Sequence, residues 1–179
     1  MMFGVNFADG RIKGYGEEFA GGDKTYFVMC MRGNTDYGEN DFVDNGDGTI
    51  TDNATALTWT QADSGEGIDW EAALAYAQEM NEANYLGYSD WRLPNVKELQ
   101  SIVDYDYAPD AQDAAYDGPA LNPMFSVSEI TNEAGNLDYP YYWTSTSARF
   151  QATGDFHYAW YVAAGRAVDG TGNDSHGAG

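Results

Sequence analysis

The sequence is poor in cysteine, histidine and basic side chains, and each shortage removes a class of function. Cys30 is the single cysteine, so no disulfide can close within the chain, and any oxidised partner of Cys30 lies elsewhere. His157 and His176 are the two histidines, the second in a glycine-rich tail, which leaves little material for a histidine metal site or a catalytic triad. Eight Lys and Arg face 29 Asp and Glu, a net charge of -21. Such a field repels nucleic acid and anionic membrane surfaces, so neither is an expected partner. No apolar run approaches the roughly 20 residues that a membrane-spanning helix needs, so no membrane insertion is expected. The opening Met1-Met2-Phe3-Gly4-Val5-Asn6-Phe7 lacks the basic flank and apolar stretch of a secretion signal. If the protein is secreted, that signal is expected upstream or already removed.

What is abundant is aromatic. Tyr, Phe and Trp number 14, 8 and 5, within a chain that is 43% hydrophobic. That content supports a buried core and argues against general disorder. Large amphipathic rings either fill an irregular, loop-rich core or furnish a recognition surface. The length of 179 residues suits one sizeable domain, or one domain with a fragment of another. The acidity fits a solvated extracellular surface, a saline habitat or divalent-cation sites.

Two segments read as helices. Over 69–84, Asp69 is a good N-cap, and Trp70, Leu74, Ala77 and Met80 or Asn81 recur at helical spacing. Over 95–104, Asn95 and Glu98 stand at capping-box spacing after Pro94, and Val96, Leu99, Ile102 and Val103 form the apolar stripe. Strands are expected at Thr25–Met31, apolar throughout as in a buried strand, at Asp41–Val43 and Thr49–Asp52, and at Ala56–Thr60 with Leu57 and Trp59 on one side. Later strands are expected at Tyr141–Ser145, Tyr158–Ala163 and Arg166–Val168. Asn45-Gly46-Asp47-Gly48 between the second and third of these is a strong hairpin signal. From Tyr105 to Tyr139 the chain is polar and aperiodic, a loop long enough to be functional or disordered.

The cluster Asp44, Asn45, Asp47, Asp52 and Asn53 is the candidate metal site, with calcium the candidate ion, because closely spaced carboxylates and amides can supply its oxygen ligands. The EF-hand spacing fails, with Thr55 where that loop needs Glu. The competing reading is a hairpin whose glycines supply positive φ. Paired carboxylates of a hydrolase are a further alternative, weakened because 29 acids make some proximity inevitable.

Val5-Asn6-Phe7-Ala8-Asp9-Gly10-Arg11 is echoed by Tyr161-Val162-Ala163-Ala164-Gly165-Arg166, a strand running into Ala-X-Gly-Arg both times. The echo divides the chain into residues 1–34, the closing strands of a preceding related domain or the first strands of the same one, and residues 35–179, the main domain.

Four ordered motifs, FVDNGDGTITDNATALTW at 42–59, DWEAALAYAQEM at 69–80, LGYSDWRLPNVKELQSIVDY at 86–105 and YYWTSTS at 141–147, resemble the Lcl-type C-terminal domain family of bacterial surface and secreted proteins. The resemblance covers about 42–168. It implies an α+β, C-type-lectin-like fold, with two helices packed on small twisted antiparallel sheets and a long loop region, akin to formylglycine-generating enzymes and to retroelement-diversified binding proteins. In its light YFVMCMRGN at 26–34 resembles the closing strand of such a domain, and Trp91, Arg92, Leu93, Pro94 and Trp143 resemble scaffold. The sugar-binding calcium motifs of C-type lectins and the paired cysteines of the formylglycine enzymes are absent. The resemblance implies ligand contacts in the loop after the second helix and in the late strands: Tyr105, Tyr107, Asp110, Tyr116, Asp138, Tyr139 and Tyr141, with Arg149, Phe150, Phe156, His157 and Tyr158. The expectation is a secreted or cell-surface, non-enzymatic adhesion module that binds a glycan or protein and neighbours other domains of its polypeptide. A purely structural module is the alternative.

Overall fold

In the computed structural model the described residues are 25–149, 157–166 and 168–173, with the backbone of four short strands before residue 25. Those four are β1 (Met2–Val5), β2 (Ile12–Tyr15), β3 (Glu18–Phe19) and β4 (Gly22–Asp23), paired β1 with β2 and β3 with β4. A three-stranded meander follows, β5 (Phe42–Asp44), β6 (Thr49–Asp52) and β7 (Leu57–Thr60). Then come α1 (Trp70–Glu82) and α2 (Val96–Gln100), joined through a 3-10 turn at Tyr85–Gly87. The chain ends with the small pair β8 (Ile130–Thr131) and β9 (Leu137–Asp138), and the longer pair β10 (Tyr141–Arg149) and β11 (His157–Ala163). Among the described residues all strand pairs are antiparallel and two α-helices are present, so the fold is a small α+β one.

Local chemistry accounts for the element ends. The turn between β5 and β6 needs positive φ, which Gly46 (+74°) and Gly48 (+89°) supply without a Cβ penalty. Asp44 accepts from the Gly46 N–H at 2.8 Å, and Asp47 from the Thr49 N–H at 3.0 Å and hydroxyl at 2.6 Å. Asp69 caps α1 by accepting from the Ala72 N–H at 2.8 Å. At α2 the capping box is complete: Asn95 accepts from the Glu98 N–H at 3.0 Å, and Glu98 accepts from the Asn95 N–H at 2.9 Å. Such a cap is worth about 1 kcal/mol. Helix α2 stops at Gln100, shorter than the periodicity suggests, but Ile102 and Val103 still pack inward from the turn that follows.

The two helices meet β10 through its interruption. Strand register jumps between Trp143, opposite Tyr161, and Ser147, opposite Ala159, so residues 144–146 bulge out of the ladder. A bulge frees backbone groups, and here residues 144–146 bond instead to α1 and to the segment leading into α2. Ser145 donates its N–H to the Pro94 carbonyl at 2.8 Å, and the Thr146 hydroxyl accepts from the Val96 N–H at 3.0 Å. Two tryptophans cross-link the same region. Trp70 donates its indole N–H to the Thr144 carbonyl, and Trp143 donates to the Ile68 carbonyl, both at 2.9 Å. The core groups Leu99, Ile102, Leu121, Val162 and Ala164, with Phe42, Trp59 and Phe125 packed against it.

Two expected strands are corrected. Residues 25–31 form no strand, and Phe27, Val28, Met29 and Met31 are exposed. An apolar run records a demand for burial, but a strand also needs a partner for its N–H and C=O groups, and the described residues offer none there. Near the end, of the described residues of the expected strand at 166–168, Val168 makes a bridge and Arg166 does not.

Candidate functional site

The long stretch 105–139 is aperiodic yet anchored. Asp104 donates its N–H to the Ala120 carbonyl at 2.9 Å, Ala120 to Ala164 at 2.8 Å, and Ser126 to Gln61 at 2.8 Å. Ala108 and Gly118 close a smaller loop, through Ala108 N–H to Tyr116 C=O at 3.1 Å and Gly118 N–H to Ala108 C=O at 3.3 Å. Leu121, inside this stretch, is a core residue, so the loop region rests on the scaffold through side chains as well as backbone.

These anchors enclose a concavity of about 270 Å³ whose wall includes Tyr107, Phe125 and Tyr139, the apolar Leu121 and Val127, and the carboxylates of Asp117 and Glu129. Leu121 is buried, Phe125, Val127 and both tyrosines are half-buried, and the two acids are exposed. Tyr107 leans on Tyr116 with ring centroids 5.8 Å apart. The Tyr139 phenol is held above its ordinary value by burial first, then by the negative charges of Glu129, Asp117 and Asp138. The potential in this hollow is therefore negative. A second concavity of about 330 Å³ lies between α1 and residues 91–95, against Leu74, Trp91 and Leu93. Among the described residues, none of the ligand residues expected from the sequence lines it.

The structure brings Tyr107 and Tyr139 into the first concavity, sets Tyr116 beside Tyr107, and leaves Tyr105 and Tyr116 exposed. Asp110, with φ +61°, does not line the concavity but donates its N–H to the Asp117 carboxylate at 2.9 Å, while its own carboxylate lies 3.8 Å from the Arg166 guanidinium. Tyr141 is half-buried and packs edge-on to Tyr161 at 5.4 Å; its phenol is pushed up to about 12, by burial and then by Glu133, Tyr161 and Asp138.

Asp138 is a correction, because it is 2% exposed and faces inward. Its carboxylate accepts from the Asn132 amide at 2.9 Å, the Tyr139 N–H at 2.8 Å and the Arg166 N–H at 3.0 Å, so it organises the chain and does not reach a ligand. Arg149, His157 and Tyr158 contribute backbone to β10 and β11, but their side chains, and all of Phe150 and Phe156, lie outside the described residues.

The metal candidates do not fit an ion. Asp52 is 0% exposed and accepts from Asn40, the Asp41 and Ala54 N–H groups and the Thr55 hydroxyl, all within 3.1 Å. Burial works against its charge, yet those donors hold it below the ordinary carboxylate value. Asn45 donates to the Thr49 and Thr51 hydroxyls, and Asp44 and Asp47 serve the hairpin turn. Among the described residues no three acidic, histidine or cysteine side chains are grouped to hold a metal ion.

Leu121, Phe125, Val127, Asp117 and Glu129 line the concavity and were not among the residues expected from the sequence. The available signal was the apolar island Leu121-Asn122-Pro123-Met124-Phe125-Ser126-Val127 inside an otherwise polar loop.

A family model described as the Lcl C-terminal domain matches residues 48–178. No curated protein and no solved structure matches the chain.

Proposed function

The chain belongs to the Lcl C-terminal domain family, and we propose that it is an extracellular or cell-surface recognition module of C-type-lectin-like shape, which meets a glycan or protein on the loop-built face around Tyr107 and Tyr139. One observation carries this reading: the irregular loop that the sequence could not order is held against the core and forms an aromatic concavity. Preorganised rings bind with little loss of side-chain entropy. A purely structural module gives no reason for rings and carboxylates to share an open hollow. Catalysis by a carboxylate pair is less well supported, since a general acid is kept protonated by burial, whereas Asp117 and Glu129 are both exposed. Residues 1–34, whose described strands pair β1 with β2 and β3 with β4, fit the closing part of a preceding related unit.

The test is an array of glycans and extracellular proteins probed with the native chain and with Tyr107→Ala and Tyr139→Ala. Binding that falls about tenfold in the variants, with native melting curves, is the expected result, as for truncation of a buried aromatic anchor. Ligands captured equally by all three proteins would overturn it.

A further inference from the structure

We propose that the concavity at Tyr107, Phe125 and Tyr139 receives a lysine side chain presented by a protein partner; this rests on the reading of that face as the ligand site. The wall divides by chemistry in the way a lysine side chain does. Leu121, Phe125 and Val127 provide apolar surface for a methylene stem, and the exposed carboxylates of Asp117 and Glu129 provide the charge that an ammonium head requires. Tyr107 and Tyr139 add ring surfaces that attract a cation.

Charge complementarity selects the occupant. Asp117 holds the Asp110 N–H with one carboxylate oxygen, and Glu129 has no basic partner among the described residues. The Arg166 guanidinium lies 3.8 Å from the Asp110 carboxylate. The charges that hold the Tyr139 phenol protonated would stabilise an ammonium at the same place. The net charge of -21 then steers basic partners inward and repels sulfated or phosphorylated ones. A neutral sugar could use the rings, but would leave both carboxylates without a counter-charge.

The experiment measures binding of a fluorescent Gly-Gly-Lys-Gly-Gly peptide to the full chain at physiological ionic strength. Its lysine-acetylated form and an N-acetylglucosamine tetramer are the comparison probes. Glu129→Gln is expected to weaken the lysine peptide about fivefold, the size of an exposed ion pair near its upper range. Glu82→Gln, the same charge change at the end of α1 and outside the concavity, is expected to leave binding within about twofold, as screening dictates. Acetylation is expected to abolish binding. Equal binding of the acetylated peptide, or equal losses in the two variants, overturns the lysine assignment. If the tetramer binds in a Tyr107-dependent way and the peptide does not, the lysine assignment falls and the ligand face stands. If neither probe binds, both fall.

Discussion

The Tyr142 phenol donates a 2.9 Å hydrogen bond to the carboxylate of Asp63, a residue 79 positions earlier in the chain. The same carboxylate accepts from the Ser128 N–H at 2.8 Å, the Ser128 hydroxyl at 2.7 Å and the Gly65 N–H at 2.9 Å. One acid thus joins β10, the turn before α1 and the far end of the long loop. It adds to the Ser126–Gln61 and Trp143–Ile68 hydrogen bonds that join the same three segments.

This pair predicts a stability window in pH. Burial opposes the charge of Asp63, but its donors hold its pKa below the ordinary value, so its contribution is present above about pH 4 and is lost as pH falls through the folded value. Burial, then Asp63 itself, pushes the Tyr142 phenol upward, so its contribution is present below about pH 10 and is lost as pH rises beyond it. Melting temperature against pH is the measurement. Tyr142→Phe should cost about 1.5–3 kcal/mol at neutral pH, as for a hydrogen bond to a charged group, and should soften the alkaline decline.

Gly165 admits no side chain. A Cβ there would overlap the Asp138 carboxylate and stand 2.6 Å from the Tyr139 carbonyl oxygen. Gly165→Ala must displace a buried acid and its donors, at a cost of about 3 kcal/mol. Thermal melting should fall by roughly 6–12 °C. An unchanged midpoint would show that the 138–139 and 165–166 segments are not in contact. Tyr139 lines the concavity, so ligand binding should weaken with this substitution as well.

Glu98 and Arg92 should prove unequal partners. Their forked pair has both N···O distances at 2.7 Å, but Glu98 also closes the cap of α2, while the Arg92 side chain is 57% exposed. Glu98→Ala should cost about 2 kcal/mol, the sum of a cap and a surface pair. Arg92→Ala should cost about 1 kcal/mol or less, because the exposed guanidinium makes this a solvent-screened surface pair. Chemical denaturation of the two variants decides; equal losses would deny Glu98 its second role.

Calcium should leave the melting midpoint unchanged, with or without chelator. An ion that bound the native state alone would raise it, and the oxygens of Asp44, Asp47 and Asp52 are already engaged by the hairpin and by neighbouring donors. A calcium-dependent rise of several degrees would require a ligand set drawn from other residues.

The features legible in the sequence were those fixed by neighbours in sequence. Asp69, Asn95 with Glu98, and the Asn-Gly-Asp-Gly turn all act within three residues of themselves, and each lies where its local chemistry demands. What could not be read depends on distant partners. Asp138 resembles any loop acid until Gly165 and Arg166 close over it. Residues 25–31 resemble a buried strand because hydrophobicity reports the need for cover and not its presence. The concavity draws on residues scattered from 107 to 139, with no period to announce them. Tyr107 and Tyr139 were expected from the resemblance, but the carboxylates that give the hollow its sign were not.

The exposed run at Phe27–Met31 also governs how the protein behaves in bulk. At low ionic strength a charge of -21 keeps copies apart before their apolar runs can touch. Added salt shortens the reach of that repulsion to about 8 Å at physiological strength while leaving apolar attraction intact. The expectation is a colloid stabilised by its own charge: dispersed in dilute buffer, and brought toward self-association by salt or by acid, either of which weakens the repulsion that shields the run.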